Sequence, residues 1–326
     1  MILLTPCGSD SSSDGVFAVF GVGLIGTSVV QALTTRAAFR TSIVPVSWEE
    51  TSDRRDQLRR LETRLEGRLL ECEGKDRSSY RVGIVWSAGK AGFEATTSQA
   101  DRELESFRDV LLLARRLACR LPSEMVTFAL ISSAGGLFEG QRFVDPASSP
   151  EARRPYGVLK LRQERLLAES ADLLVSRIYR LTSVYGHLAP GRRRGLVSTL
   201  IRNGMRRQVT PLTGRMDTLR DFIWADDVGR FVVRDLYGTA RDRSPSPLLL
   251  ASAKPSSIHE VLRIAEQVLG RKIYVSFESG EENSADITFS PRAVARGWQS
   301  SDLASNVRRV YLRALSSGAA FDRPAA

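Results

Sequence analysis

Tyr156 and Lys160 stand four residues apart, in the segment PYGVLK that opens a predicted helix. In a helix this spacing places both side chains on one face. A free phenol is a poor base at neutral pH because its pKa is about 10. A nearby ammonium favours the phenolate, and a second positive charge on a bound group would favour it further. The pair therefore predicts a tyrosine that takes and returns a proton.

Two serines, Ser132 and Ser133, follow the apolar run 126–131 (VTFALI), which predicts a buried strand. A hydroxyl at the end of a parallel strand lies where α/β sheets bind ligands. A serine at this place can hydrogen-bond a reacting oxygen beside Tyr156. The alternative role is structural, with the serines capping the turn after the strand.

Gly21, Gly23 and Gly26 form a GxGxxG pattern between a predicted strand at 16–20 and a predicted helix. Small residues allow the backbone to approach a pyrophosphate, and the N-terminus of the helix offers unpaired N–H groups. In this context the pattern predicts a dinucleotide site. The alternative is a tight strand–helix turn without a ligand.

The residues after the next predicted strand, 42–46, leave the choice between NAD and NADP open. An acid commonly binds the ribose hydroxyls about twenty residues after the glycine pattern. Glu49 or Glu50 could serve the ribose of NAD, whereas Arg54 or Arg55 could reach the 2′-phosphate of NADP.

Predicted strands alternate with predicted helices over the first part of the chain. The strands are 16–20, 42–46, 81–86, 126–131 and 173–179, and the helices after the first one are 51–72, 101–120 and 155–170. Leucines at helical spacing in the first of these helices predict an amphipathic helix. The alternation predicts an α/β fold with a doubly wound parallel sheet, Rossmann-like, with helices on both faces.

The pattern changes near Gly186, and a smaller C-terminal α/β substrate lobe is expected after it. In that lobe a helix at 257–269 is predicted to end at Gly270, which suits a helix C-cap. The predicted domains are a Rossmann domain at 12–182 to which the chain returns around 219–250, a substrate lobe at 183–218 and 251–320, and flexible ends at 1–11 and 317–326.

The composition of the 326 residues is that of a folded globular protein, with 42% hydrophobic and 26% charged residues. The net charge of +10 comes almost entirely from arginines spread along the chain. Such a charge is typical of a protein that binds phosphorylated metabolites, or of an arginine-rich surface exposed to solvent. Nucleic acid is not expected because no nucleic-acid motif accompanies the charge.

Three cysteines stand far apart, at Cys7, Cys72 and Cys119, which argues against a disulfide framework and against a zinc site. No apolar run approaches the ~20 residues that span a bilayer. The N-terminal segment does not have the pattern of a signal peptide. A cytoplasmic protein without a membrane partner is therefore predicted.

Together these segments resemble the extended short-chain dehydrogenase/reductase family, in particular its NAD-dependent epimerase/dehydratase group, which acts on nucleotide sugars. The similar segments are 20–33 (FGVGLIGTSVVQAL), 132–140 (SSAGGLFEG), 156–167 (YGVLKLRQERLL), 180–186 (RLTSVYG) and 219–228 (LRDFIWADDV). The last of these is the most specific match.

The resemblance implies a role for each matching residue. Tyr156 would be the acid/base, Lys160 would hold the ribose and tune Tyr156, and Ser133 would bind the reacting oxygen. The serine segment is one residue longer than in many relatives, so Ser133 and Ala134 are both candidates for the serine position.

The resemblance also implies contacts to ligands. The cofactor contacts would be Gly21, Gly23, Leu24, Ile25, Gly26, Ser87, Ala88, Tyr156, Lys160 and Thr182. The substrate contacts would be Ser133, Ser183 and Arg220, with Arg220 on the nucleotide diphosphate because a guanidinium pairs well with phosphate. No metal is expected, and Asp226 and Asp227 are assigned a structural role.

The family resemblance implies an NAD(P)-dependent nucleotide-sugar epimerase that moves a hydride reversibly at a sugar carbon. An NADPH-dependent 4-keto-sugar reductase is the alternative, and a non-catalytic dinucleotide sensor is the third interpretation. A homodimer formed through the helices at 101–120 and 155–170 is a family expectation.

Overall fold

The computed structural model of the chain describes residues 1–7, 15–70, 80–186, 195–238, 246–278 and 284–316. The chain divides into two compact units. Unit 1 consists of Met1–Leu137, Ala152–Arg180 and Gly229–Leu248, and unit 2 of Phe138–Glu151, Leu181–Val228 and Leu249–Ala326. This division assigns residues 138–151 and 219–228 to unit 2, whereas the sequence analysis placed them with the Rossmann domain. Cys72 and the predicted flexible end at 317–326 lie outside the described residues.

The strands are numbered in chain order. They are β1 (Ile2–Pro6), β2 (Gly15–Phe20), β3 (Phe39–Ile43), β4 (Arg81–Trp86), β5 (Val126–Ser133), β6 (Val175–Leu181), β7 (Ser183–Tyr185), β8 (Thr210–Thr213), β9 (Leu219–Arg220), β10 (Phe222–Trp224), β11 (Leu248–Leu250), β12 (Ser256–Ser257) and β13 (Val275–Glu278). Seven of them form one sheet in the order β11-β6-β5-β4-β2-β1-β3. β2, β4 and β5 pair in parallel at its centre.

The helices are numbered in the same way. They are α1 (Leu24–Arg36), α2 (Thr51–Leu70), α3 (Thr97–Arg120), α4 (Ala134–Leu137), α5 (Pro155–Ala168), α6 (Leu196–Arg206), α7 (Ala225–Leu236), α8 (Ile258–Leu269) and α9 (Leu303–Ser316). The predicted α/β fold, with a mostly parallel central sheet flanked by helices, is confirmed.

The core of unit 1 lies between this sheet and helices α2, α3 and α5. Every residue of β5 is buried, as the continuous apolar run predicts for a strand covered on both faces. Leu58, Leu61 and Leu65 of α2 are almost fully buried, which confirms the amphipathic helix predicted from their spacing. α3 adds Leu104 and Phe107 to the same cluster.

The first strand, β1, corrects the predicted flexibility of residues 1–7, and residues 8–11 of that predicted end lie outside the described residues. β1 is antiparallel to β2 on one side and to β3 on the other, and it separates these two strands. Leu3 and Leu4 are both fully buried although successive side chains point to opposite faces, so the sheet is covered on both faces at β1. β1 was missed because its pairing partners, Val19 to Phe17 of β2 and Ile43 to Phe39 of β3, are distant in sequence.

The insertion of β1 moves β3 to the edge of the sheet, two strand positions from β2. At about 4.8 Å for each position, the loop after β3 starts about 10 Å from the end of β2. β3 covers residues 39–43 rather than the predicted 42–46, and Ile43 is exposed, as the last residue of an edge strand can be.

Unit 2 contains three two-stranded sheets, β7 with β10, β9 with β12 and β8 with β13. Its core is formed by α6, α8 and α9 around Tyr185 and Trp224, and burial raises the pKa of the Tyr185 phenol. α8 ends as predicted, with Gly270 in the left-handed conformation at φ +64°. Asp227 accepts hydrogen bonds from the N–H and hydroxyl of Ser301 just before α9, at 2.8 and 2.6 Å.

Candidate active site

The glycine pattern forms the turn from β2 to α1, and each glycine meets a different requirement. Gly21 has a φ of +88°, and a Cβ there would lie 2.3 Å from the backbone nitrogen of Ala88. A Cβ at Gly26 would lie 1.8 Å from the carbonyl oxygen of Gly21. Gly21 and Gly26 are therefore required by the turn and by the packing of α1 against it.

Gly23 is different, because a Cβ there would meet nothing within 4 Å. It is the N-cap residue of α1, it makes no side-chain cap, and the first turn of α1 carries no acidic residue. Leu24 and Ile25 are half-buried in that turn. This loop offers helix N–H groups, a positive dipole end and open space, and these fit a pyrophosphate.

Ser87 and Ala88 follow β4 and support the same loop. The Ser87 hydroxyl lies 2.9 Å from the carbonyl oxygen of Phe20 and 2.7 Å from that of Gly21. The Ser87 N–H also donates to Phe20, at 2.9 Å. Ser87 thus fixes the backbone of the glycine turn, and Ala88 packs directly against Gly21.

Of the predicted partners for the ribose or its 2′-phosphate, Arg54 is buried, whereas Glu49, Glu50 and Arg55 are exposed. Arg54 is 2% exposed and donates to Asp109 at 2.8 Å, so it is not available for a 2′-phosphate. Arg55 is exposed and also donates to Asp109, at 3.1 Å. Glu49 is exposed and lies 3.7 Å from the ammonium of Lys90. The loop still reaches the end of β2, because the Trp48 ring stands 6.4 Å from the Phe20 ring, centre to centre.

Tyr156 is placed by the first turn of α5. Pro155 stands in the first turn of that helix, where its missing N–H is not needed. A Cβ at Gly157 would lie 2.2 Å from the carbonyl oxygen of Gly136, and a Cβ at Gly136 would lie 2.9 Å from the Tyr156 ring. The two glycines let α5 approach the turn after β5 closely, so the tyrosine ring lies at the end of that strand.

Lys160 lies one turn further along α5, and its side chain is 7% exposed. Its ammonium is 5.6 Å from the centre of the Tyr156 ring. It donates to Oε1 of Gln163 at 3.1 Å and lies 3.6 Å from Oε1 of Glu103. The predicted tyrosine and lysine are therefore brought together, with the charge of the lysine buried beside the ring.

The two serines after β5 have separate partners. The Ser132 hydroxyl donates to Glu164 at 2.5 Å, and Glu164 also binds Arg180 through two hydrogen bonds of 2.7 and 3.0 Å. The Ser133 hydroxyl accepts from the N–H of Gly136 at 3.1 Å, which leaves its own hydrogen free to donate. Ala134 is fully buried and offers only a methyl group.

These groups share one edge of the sheet in unit 1. The glycine turn follows β2, Ser87 follows β4 and Ser133 follows β5, and the three strands run parallel and adjacent. β2 and β5 are two strand positions apart, which is about 10 Å. The carboxyl edge of a parallel sheet is the place where this class of fold binds ligands.

The remaining predicted residues, Thr182, Ser183 and Arg220, belong to unit 2 and gather around Asp221. The Thr182 hydroxyl donates to the Asp221 carboxylate at 2.8 Å, and the Ser183 N–H donates to the Asp221 carbonyl at 2.9 Å. The Arg220 guanidinium donates to the carbonyls of Leu219, at 3.0 Å, and Ala285. Asp221 is 2% exposed and fixes the backbone that carries the other three.

Two residues beside the tyrosine and lysine were not predicted from the sequence. The Phe93 ring stands 5.9 Å from the Tyr156 ring, centre to centre, and Glu103 approaches Lys160 from α3. Glu103 lies four residues before the buried Phe107 and next to Leu104, on the apolar face of α3. A carboxylate on such a face is a signal that was visible in the sequence.

Among the described residues, no three histidine, cysteine, aspartate or glutamate side chains come together in a way that could hold a metal ion. None of the described helices is both long enough and apolar enough to cross a membrane.

The sheet, the glycine turn and the uncapped helix N-terminus define a Rossmann-like dinucleotide-binding fold. The sequence profile of the NAD dependent epimerase/dehydratase family matches residues 18–243, and the chain belongs to this family. It is an NAD(P)-dependent enzyme of the extended short-chain dehydrogenase/reductase type.

Solved structures with the same fold cover nearly the whole chain at low identity. UDP-glucose 4-epimerase of Thermus thermophilus in complex with NAD has a TM-score of 0.74 and 14% identity, over 92% of this chain and 99% of that one. UDP-glucose 4-epimerase of Thermotoga maritima with UDP-glucose has a TM-score of 0.70 and 15% identity, over 92% and 99%. RMD of Pseudomonas aeruginosa complexed with NADPH has a TM-score of 0.67 and 19% identity, over 91% of this chain and 97% of that one. No curated protein matches the chain.

Proposed function

We propose that the protein is a nucleotide-sugar epimerase in which Tyr156 is the proton-transfer residue, assisted by Lys160 and Ser133. The observation that carries the proposal is the buried ammonium of Lys160, 5.6 Å from the centre of the Tyr156 ring. The glycine turn on the same sheet edge supports it, because its geometry suits a dinucleotide pyrophosphate.

Tyr156 takes the proton of a sugar hydroxyl and later returns it. The ammonium of Lys160 stabilises the negative charge that the tyrosine oxygen carries between these two steps, and burial strengthens this effect. Ser133 donates its free hydroxyl hydrogen to the reacting sugar oxygen as that oxygen becomes a carbonyl.

A dinucleotide bound at this sheet edge would supply a reversible hydride acceptor for the sugar carbon. Gly23 and the first N–H groups of α1 would hold its pyrophosphate, with Leu24 and Ile25 beside them. Lys160 would bind the ribose next to the nicotinamide. In an epimerase the sugar turns over before the hydride returns, so no cofactor is consumed.

Ser183 and Arg220 of unit 2 are proposed substrate contacts, and Thr182 is a proposed cofactor contact. UDP-glucose in the Thermotoga maritima neighbour supports a nucleoside diphosphate sugar as the class of substrate. For Arg220, replacement by alanine should raise the KM for the nucleotide sugar far more than it changes dinucleotide affinity, because a guanidinium binds phosphate directly.

The test has two parts. Mass spectrometry of the denatured, purified protein should detect tightly bound NAD, or NADP if that is the resident dinucleotide. A panel of UDP-, GDP- and dTDP-sugars, followed by NMR, should then show one sugar converted to its epimer without loss of dinucleotide.

Three results would contradict the epimerase proposal. Net consumption of NADPH with a keto sugar would assign a reductase instead. Dinucleotide binding without any turnover, and without any effect of Tyr156→Phe, would assign a sensor. No dinucleotide binding at all would refute the site itself.

A further inference from the structure

Glu103 is a carboxylate enclosed within unit 1 beside the lysine of the proposed site. Its side chain is 7% exposed, and its Oε1 lies 3.6 Å from the Lys160 ammonium. Its Oε2 accepts a hydrogen bond of 3.1 Å from the N–H of Ala91. A buried charge is strongly disfavoured unless it is paired, so Glu103 and Lys160 each make the burial of the other possible.

The space for this carboxylate comes from a glycine. Gly89 has a φ of +146°, and a Cβ there would lie 2.5 Å from both Glu103 oxygens. The preceding residue, Ala88, packs against Gly21 of the glycine turn. The loop at 87–91 therefore contacts the glycine turn on one side and Glu103 on the other.

The Lys160 ammonium has donor capacity that these contacts do not use. It carries three N–H groups, and one of them donates to Gln163 at 3.1 Å. Its distance to Glu103 is longer than a hydrogen bond, and within the described part of the chain Oε1 of Glu103 accepts no hydrogen bond. Lys160 can therefore donate to a ribose hydroxyl while it stays close to the Glu103 carboxylate.

We propose that Glu103 is a positioning residue, which holds the Lys160 ammonium in place beside the Tyr156 ring. It also connects Lys160 to the loop at 87–91, which supports the glycine turn. This inference rests on the proposed function, because Lys160 must bind a dinucleotide for its position to matter. Without the carboxylate, the buried ammonium loses its oppositely charged neighbour and is no longer held in this position.

A purely structural role for Glu103 predicts different behaviour. Loss of a buried ion pair lowers fold stability in either case, so stability cannot separate the two roles. A positioning residue acts through Lys160, and its effect on dinucleotide affinity must vanish when Lys160 is already replaced.

The experiment is a double-mutant cycle of Glu103→Gln and Lys160→Met in the full chain. After any resident dinucleotide has been removed, the affinities for NADH and NADPH are measured by the fluorescence of the reduced nicotinamide. Thermal unfolding is followed in the same samples. Glu103→Gln is expected to weaken dinucleotide binding about tenfold, and the double variant should bind no worse than Lys160→Met alone.

Two further variants keep the test decisive. Glu103→Asp retains the charge, so it should recover part of the lost affinity even if Glu103→Gln folds poorly. Glu62→Gln is the matched control, because Glu62 is a buried carboxylate of the same unit paired with Arg116 at 3.3 Å, away from Lys160. It should lower stability without changing dinucleotide affinity.

The experiment distinguishes a failure of the positioning role of Glu103 from a failure of the proposed function. If the wild type binds a dinucleotide and Glu103→Gln binds it equally well, the positioning role is overturned. The positioning role is also overturned if the losses of dinucleotide affinity in Glu103→Gln and Lys160→Met are fully additive in the double variant. If the wild type binds neither NADH nor NADPH, the proposed function itself is refuted.

Discussion

The ring of Tyr156 lies against the backbone of Gly136, with no room for a side chain between them. A Cβ at Gly136 would stand 2.9 Å from Cδ1 of the ring and 3.0 Å from Cε1. Carbon atoms in contact prefer about 3.5 to 4.0 Å. Gly136 therefore determines where the ring of the proposed acid/base can stand.

Replacement of Gly136 by alanine should move the tyrosine ring and slow the reaction. We expect Gly136→Ala to lower kcat at least about tenfold, because a misplacement of even 1 Å has large effects on catalysis. The affinity for dinucleotide, measured by fluorescence titration, should change little. Gly67→Ala is the control, since a Cβ at Gly67 of α2 meets nothing within 4 Å. An unchanged kcat in Gly136→Ala would contradict the proposal that the position of the Tyr156 ring is important for catalysis.

The glycines of the turn after β2 should respond to alanine in opposite ways. Gly23 has φ −79° and ψ −161°, which alanine can adopt, and the space around it is open. Gly23→Ala should therefore keep stability within about 0.5 kcal/mol but weaken dinucleotide binding, because the methyl group would enter the open space proposed for the pyrophosphate.

Gly26→Ala should instead destabilise the fold, by about 3 kcal/mol in urea unfolding, since its methyl group would meet the Gly21 carbonyl at 1.8 Å. Normal dinucleotide affinity in Gly23→Ala would show that no ligand approaches this glycine. Unaltered stability in Gly26→Ala would contradict the packing described for α1.

Replacement of the two serines after β5 by alanine should also have different effects, one on kcat and the other on stability. Ser133→Ala removes the hydroxyl proposed to bind the reacting oxygen, and kcat should fall about 100-fold. Ser132→Ala removes a hydrogen bond to Glu164, which keeps its pairing with Arg180, so it should cost about 1 kcal/mol of stability with kcat nearly unchanged. Steady-state kinetics and thermal unfolding of both variants decide this. The reverse pattern would assign the reacting oxygen to Ser132.

Much of unit 1 follows from local patterns in the sequence. The apolar run of β5, the leucine spacing of α2 and the tyrosine–lysine spacing of α5 each depend on residues close together in the chain. Their burial and facing directions were predicted because strand and helix periods are local properties.

The missed features depend on distant contacts. β1 is a strand only because β2 and β3 flank it, and no local pattern reveals this insertion. Glu103 was missed because its partner Lys160 is 57 positions further along the chain, and only the packing of α3 on α5 brings them together.

The stability of α9 in unit 2 should depend on pH through Asp302. The backbone N–H of Ser305 donates to the Asp302 carboxylate at 2.8 Å, and this bond together with the Ser305 hydroxyl lowers the Asp302 pKa from 3.8. Because the folded-state pKa is depressed, the stabilisation is complete above pH about 4 and is lost as the pH falls below it.

Asp302→Ala should therefore cost about 1 kcal/mol at neutral pH, as loss of a helix N-cap does. The difference from the wild type should shrink on acidification, measured by urea unfolding at several pH values. Asp302→Asn keeps an acceptor without a titrating charge and should show a smaller pH dependence. A difference that grows on acidification would contradict the assigned sign.

The central claim is that Tyr156 transfers the proton while a dinucleotide rests on the glycine turn. The most direct measurement is the rate of epimer interconversion by Tyr156→Phe, in samples that bind the same amount of dinucleotide as the wild type. The account predicts a loss of about 1000-fold, as expected when a general acid/base is removed. A rate within twofold of the wild type would contradict it.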